Sequence, residues 1–218
     1  MPRLNRLLGA FLGLGLSATT LVGSAHAATP STGVSSFIKS EVVPDIDAYW
    51  RQQSRADGVA YVTPKVVLFD STHPVVDACG DGVVEGHEYC PADRTIYLDV
   101  SSATSASFGR LWATDSNFTI VTIVAHEWGH AIQDQRRAFG PRLSQLEKEQ
   151  QADCLAGVFA RYSSRRGWLE AGDLDAATAL ALRSGDSGHG PGWQRAMAFE
   201  IGYDGESPAI CGLSKGNN

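Results

Sequence analysis

The residues best suited to chemistry are His126-Glu127-Trp128-Gly129-His130, an HExxH pattern. Histidines four positions apart on a helix project from one face over successive turns, so both imidazoles can reach one ion. A tetrahedral Zn2+ accepts both. Glu127 is rotated by about 100° from His126 around a helix of about 3.6 residues per turn, which turns it off the ion and toward the reacting water. The pattern therefore predicts His126 and His130 as metal ligands and Glu127 as the general base of a hydrolase.

HExxH also arises by chance, so its surroundings matter. Residues 117–125 (Asn-Phe-Thr-Ile-Val-Thr-Ile-Val-Ala) are so apolar that a helix there must be buried on most sides, where a charged Glu127 needs a partner. The β-branched residues of that run suit a strand as well. The length through Gln135 and the four-residue spacing of the histidines favour a helix.

A catalytic zinc has three protein ligands and one open position. A second helix, expected over about residues 142–163 after a Phe139-Gly140-Pro141 turn, carries Glu149 and Asp153 four apart on one face. Glu149 is the expected third ligand, with Glu147 or Asp153 as alternatives. Asp153, one turn on, can accept the free ring N–H of a zinc-binding histidine and fix its tautomer. Taken alone, Glu147-Lys148-Glu149 reads as a solvated helix face. The HExxH upstream favours the ligand reading.

These groups need a core to hold them. Residues 1–27 read as an export signal: Arg3 and Arg6, an apolar stretch over 7–16, and the small-x-small site Ala25-His26-Ala27. The apolar stretch is too short to span a bilayer comfortably, so no membrane attachment is expected after cleavage. Losing Arg3 and Arg6 takes the net charge from −6 to −8, which argues against nucleic acid as a partner. Residues 28–36, rich in Ser, Thr, Gly and Pro, read as a flexible linker, and 37–218 suffice for one domain. Within it we expect a helix from about Pro44 to Asp57-Gly58, a central strand over 65–70, a strand over 94–99, and helices over about 171–183 and 193–203. Asp115, Ser116 or Asn117 can cap the motif helix. Four cysteines in an exported chain suggest two disulfides, Cys79 with Cys90 closing a short loop and Cys154 with Cys211 pinning the C-terminus. The competing use of Cys79, His87 and Cys90 is a second metal site, whose spacing matches no common zinc motif.

His126-Glu127-x-Gly129-His130-x-x-Gln133, followed by Glu149-x-x-Ala152-Asp153-Cys154-x-Ala156-Gly157, resembles a bacterial family of neutral zinc metallopeptidases. The Glu149-x-x-x-Asp153 element is similar to that of thermolysin-like gluzincins. Upstream, Tyr89-Cys90-Pro91-Ala92-Asp93-x-x-Ile96-Tyr97-Leu98-Asp99 extends the likeness, and downstream Gly172-Asp173, His189-Gly190 and Gln194-Arg195 do so. The resemblance implies an α+β, zincin-like fold, a small sheet packed on helices that include the HExxH helix, and peptide hydrolysis. By the same analogy the strand over 94–99 would form the sheet edge on which an extended peptide pairs. It also places His189 near the cleft, either donating to the oxyanion or capping local structure through Gln194 or Arg195.

The sequence thus reads as a secreted or otherwise extracytoplasmic bacterial zinc peptidase acting as a monomer on peptides or proteins. Two alternatives stand beside it: an exported non-catalytic zinc-binding protein, and a zinc amidase acting on cell-wall peptides.

Overall fold

A computed structural model describes residues 31–70, 72–80, 82–101, 117–136 and 143–213. The expected export signal, the expected turn at 139–141 and the expected caps Asp115 and Ser116 lie outside these residues. The motif segment forms one helix, α3 (Phe118–Gln135), despite its β-branched run from Thr119 to Val124. Helix propensity differences reach only about 0.7 kcal/mol per residue, whereas burying an aliphatic side chain returns about 1.5–3 kcal/mol. Ile120, Val121 and Val124 are all at most 6% exposed, so burial decides. Asn117 occupies the N-cap without a side-chain capping bond.

The second helix is α4 (Gln145–Arg165), starting a little later than expected. Ser144 sets its start through a capping box, in which its hydroxyl accepts from the Glu147 N–H and the Glu147 carboxylate accepts from the Ser144 N–H at 2.7 Å. Glu147 is thereby committed to the helix end. Helices α5 (Asp173–Arg183) and α6 (Gly192–Gly205) complete this side, with Gly172 at the α5 N-cap. Three small residues set the spacing. A Cβ on Gly129 of α3 would lie 3.1 Å from the Ala152 backbone of α4, and one on Gly157 or Gly202 would run into the Phe199 or Cys154 carbonyl across the α4–α6 contact. The Cys154–Cys211 disulfide ties α4 to the final 3-10 turn (Pro208–Cys211).

On the N-terminal side, residues 31–36 are helical rather than linker. Helix α1 (Ser31–Phe37) continues through a π-helical turn (Ile38–Val42) into α2 (Val43–Asp57). Val34, Ile38 and Val42, four apart, form a buried seam that composition alone does not reveal. Pro44 lacks an N–H and crowds the carbonyl four residues back, and the wider turn immediately before it takes up that clash. Tyr49 of α2 packs against Phe159 and Tyr162 of α4 at ring separations of 5.6 and 4.7 Å.

The sheet contains β1 (Lys65–Phe69), β2 (His87–Cys90) and β3 (Thr95–Asp99) in the order β1-β3-β2, with β1 parallel and β2 antiparallel to β3. This corrects two expectations. The strand over 94–99, expected at the edge, is central as β3. The strand over 65–70, expected to be central, is the edge strand β1, with β2 the edge on the α3 side. His87-Glu88-Tyr89-Cys90 lacks hydrophobic alternation and so reads as loop in sequence. The pairing Tyr89↔Ile96, the Cys79–Cys90 disulfide and the Tyr89 hydroxyl donating to Asp134 of α3 at 2.8 Å hold it as a strand. Among the described residues no helix is long and apolar enough to cross a membrane.

Candidate metal centre

Helix geometry brings His126 and His130 over one another, their rings edge to face at 4.8 Å. The close α3–α4 approach at Gly129 then delivers Glu149. Its Oε2 lies 3.2 Å from His126 Nε2 and 3.5 Å from His130 Nε2. The three donor atoms fall within 4.8 Å of one another.

Both imidazoles are held from behind. Gln133, fully buried, donates from Nε2 to the Lys148 carbonyl at 2.8 Å and to Gln151 Oε1 at 3.1 Å. Its Oε1 is left to accept from His130 Nδ1 at 2.8 Å, which assigns the His130 proton to Nδ1 and leaves Nε2 a lone pair facing Glu149. His126 Nδ1 faces Asp153 Oδ1 at 2.9 Å, within ion-pair distance though not fully aligned as a hydrogen bond. Asp153 is in turn gripped by Arg195, whose Nε and Nη2 donate to its two oxygens, both at 2.9 Å. Gln145 Nε2 donates to the outer Glu149 oxygen at 2.7 Å.

A divalent ion fits these residues on three counts. Atoms about 2.0–2.2 Å from a tetrahedral zinc stand about 3.3–3.5 Å apart, close to the separations between Glu149 and the histidines. Glu149 Oε2 is buried without a hydrogen-bond donor. Glu127, Glu149 and Asp153 are 4–6% exposed, and the buried cation in contact with this set is Arg195 at 7%. With neutral histidines, three formal negative charges face one positive, and the two left over match a dication. Without an ion, protons take that role. Burial opposes charge on His126, yet Asp153 and then Glu149 push its pKa up to about 10. Burial likewise acts against ionised Glu149, and the two histidines nevertheless hold it well below the usual carboxylate range.

The centre opens into a cavity of about 220 Å³. Its floor is His126, Glu127 and His130 of α3, one wall is Gln145, Lys148 and Glu149 of α4, and the facing wall is His87, Glu88 and Tyr89 of β2 with Pro91. His189 is at the rim. Its Nδ1 contacts Asp186 at 2.9 Å, and the expected capping through Gln194 or Arg195 is not formed, because those residues turn to Gln150 and Asp153. The alternative metal site at Cys79, His87 and Cys90 is closed by the disulfide.

Four residues take roles at the centre that the sequence does not assign to them, although Arg195 is expected to pair with some acidic residue and does so with Asp153. Gln133 carries a local signal, three positions after His130 on the same face. His87 stands out in sequence only for the alternative site with Cys79 and Cys90, and Tyr89 only within the family likeness. Neither points to the cavity wall, because β2 is invisible in the pattern. Arg195 reaches Asp153 across 42 positions, which no local spacing encodes.

The chain is 30% identical to the uncharacterized protein YpfJ of Escherichia coli K12, over 86% of this chain and 74% of that protein. It is also 30% identical to the uncharacterized proteins Rv2575 of Mycobacterium tuberculosis H37Rv and Mb2605 of Mycobacterium bovis, over 80% of this chain and 70% of each of theirs. No solved structure matches. Residues 16–213, which include the HExxH motif, Glu149, Asp153 and the cavity walls, match the family described as "Putative neutral zinc metallopeptidase", and the chain belongs to that family.

Proposed function

We propose that this protein is an exported, zincin-like peptidase that uses one Zn2+ held by His126, His130 and Glu149. The convergence of those three side chains at 3.2–3.5 Å, with Glu127 buried beside them in the same cavity, carries the reading. When bound, zinc polarises a scissile carbonyl and lowers the pKa of water to about 7. Glu127 takes the proton from the attacking water and returns it to the leaving amine. His189, at the rim, donates to the carbonyl oxygen as negative charge develops there. Gln133 and Asp153 hold the histidine rings in the tautomers that present Nε2 to the ion. The substrate is a peptide or protein, extended along the β2 edge, and the enzyme works as a monomer outside the cytoplasm, where its two disulfides persist. A purely structural zinc site would fill the fourth position with protein and would have no use for a buried carboxylate such as Glu127.

Elemental analysis and peptide turnover test this together. Wild type should carry about one zinc per chain, as a catalytic site of three protein ligands requires. Glu149→Ala should lose it, and Glu127→Gln should keep it while kcat falls by about 10²–10⁴-fold. Full turnover by Glu127→Gln would sink the mechanism.

A further inference from the structure

Arg195 lies outside the ion-binding set, yet at 7% exposure it is among the most deeply buried charges in the protein. Burying a guanidinium costs several kcal/mol unless its geometry returns that energy, so the use of each donor matters. Nε and Nη2 form a two-pronged grip on Asp153, and Nη1 donates to the Ser184 carbonyl at 3.0 Å. A grip of this kind fixes the plane of a carboxylate as well as its position. Asp153 Oδ1, one of the two gripped oxygens, is also the atom that faces His126 Nδ1. The third arm ends at Ser184, which caps α5 immediately before the segment that carries His189. That segment is pressed against α6, since a Cβ on Gly185 would collide with the Gly192 backbone.

We propose that Arg195 is the positioning residue of the metal centre. Acting through Asp153, it sets the orientation in which His126 meets the ion, and through Ser184 it anchors the base of the His189 segment. The inference rests on the zinc-peptidase reading above. It also accounts for arginine at this position: a lysine would supply the charge but not three coplanar donors to two partners. The simpler alternative is an ion pair that only ties α6 to α4. Such a tie predicts a lower Tm with unchanged zinc affinity.

The test compares full-length wild type with Arg195→Met, Arg195→Lys, Asp153→Asn and the Asp153→Asn/Arg195→Met double variant. Zinc affinity is read by chelator competition, and ligand geometry by the visible bands of the cobalt-substituted protein. Arg195→Met should bind zinc about 10–100-fold more weakly, the range for losing an outer partner of a metal ligand, with shifted cobalt bands. Arg195→Lys should fall between it and wild type. Once Asp153→Asn has removed the relay, adding Arg195→Met should weaken binding by no more than about 2-fold further. Wild-type affinity and unshifted bands in Arg195→Met would overturn the proposal, as would full additivity in the double variant. If Arg195→Met does not fold, Arg195→Lys against wild type and the double variant against Asp153→Asn decide on the same terms. Failure of wild type itself to bind zinc overturns the zinc-peptidase reading and this inference with it, and no Arg195 variant is needed to see that.

Discussion

Two histidine–aspartate pairs flank the cleft, each with Nδ1 2.9 Å from a carboxylate oxygen, in opposite surroundings. The side chains of His126 and Asp153 are 9% and 6% exposed, those of His189 and Asp186 46% and 56%. Asp153 has its other contacts made by a buried arginine. Asp186 spends its capacity on the Gly188 and His189 N–H groups, so it builds the turn as much as it orients the ring. The same pairing therefore does different work. In the helical core no water can replace a lost partner, and the ring direction is dictated. At the rim, solvent competes, and an exposed ion pair contributes only about 0–1 kcal/mol.

The largest effect expected from this contrast concerns His189 itself. If it donates to the developing oxyanion, His189→Ala should lower kcat by about 10²–10³-fold, the cost of one such donor, with zinc content unchanged. An unchanged kcat would leave the exposed pair a purely structural turn. Next in size, Asp153→Asn should weaken zinc binding by about 10–100-fold. The pH response of the metal-free protein sharpens the comparison further. Because folding raises the His126 pKa to about 10, its contribution to stability is fully present below the unfolded value near 6.5 and is lost as pH rises toward 10. Thermal unfolding of metal-free protein should accordingly show Tm falling over that window, and Asp153→Asn should flatten the slope. The smallest effect is expected from Asp186→Asn, with zinc affinity within about 2-fold of wild type and kcat lowered by less than about 10-fold. A zinc loss as large as that of Asp153→Asn would break the distinction between the two pairs.

Much of the centre was legible in the chain because its parts are local. His126, Glu127 and His130 share one turn of helix, and Glu149 and Asp153 share another. A period of about 3.6 residues therefore places them correctly before any packing is known. The β-branched run before His126 was the ambiguous part, settled by burial rather than propensity. Other elements carried no such period. Residues 31–36 look like linker by composition, and only the buried seam of Val34, Ile38 and Val42 makes them helix. β2 has four residues without alternation and goes unread, and the peptidase analogy puts β3 at the sheet edge, whereas in the structure β3 has a neighbour on each side.

What the sequence by itself determined is the chemistry of the donors: two imidazoles and a carboxylate at helical spacing, a second carboxylate one turn on, and four cysteines able to form two disulfides. What only the tertiary structure decided is how those donors are aimed. The glycine-mediated approach of α3, α4 and α6 brings Glu149 between the histidines and Arg195 onto Asp153. The folding of β2 onto α3 through Tyr89 and Asp134 closes the cavity wall. The physical reason is range. Backbone periodicity correlates residues within a few turns, whereas contacts across 42 or 45 positions exist only once the packing of whole elements has set the distance between them.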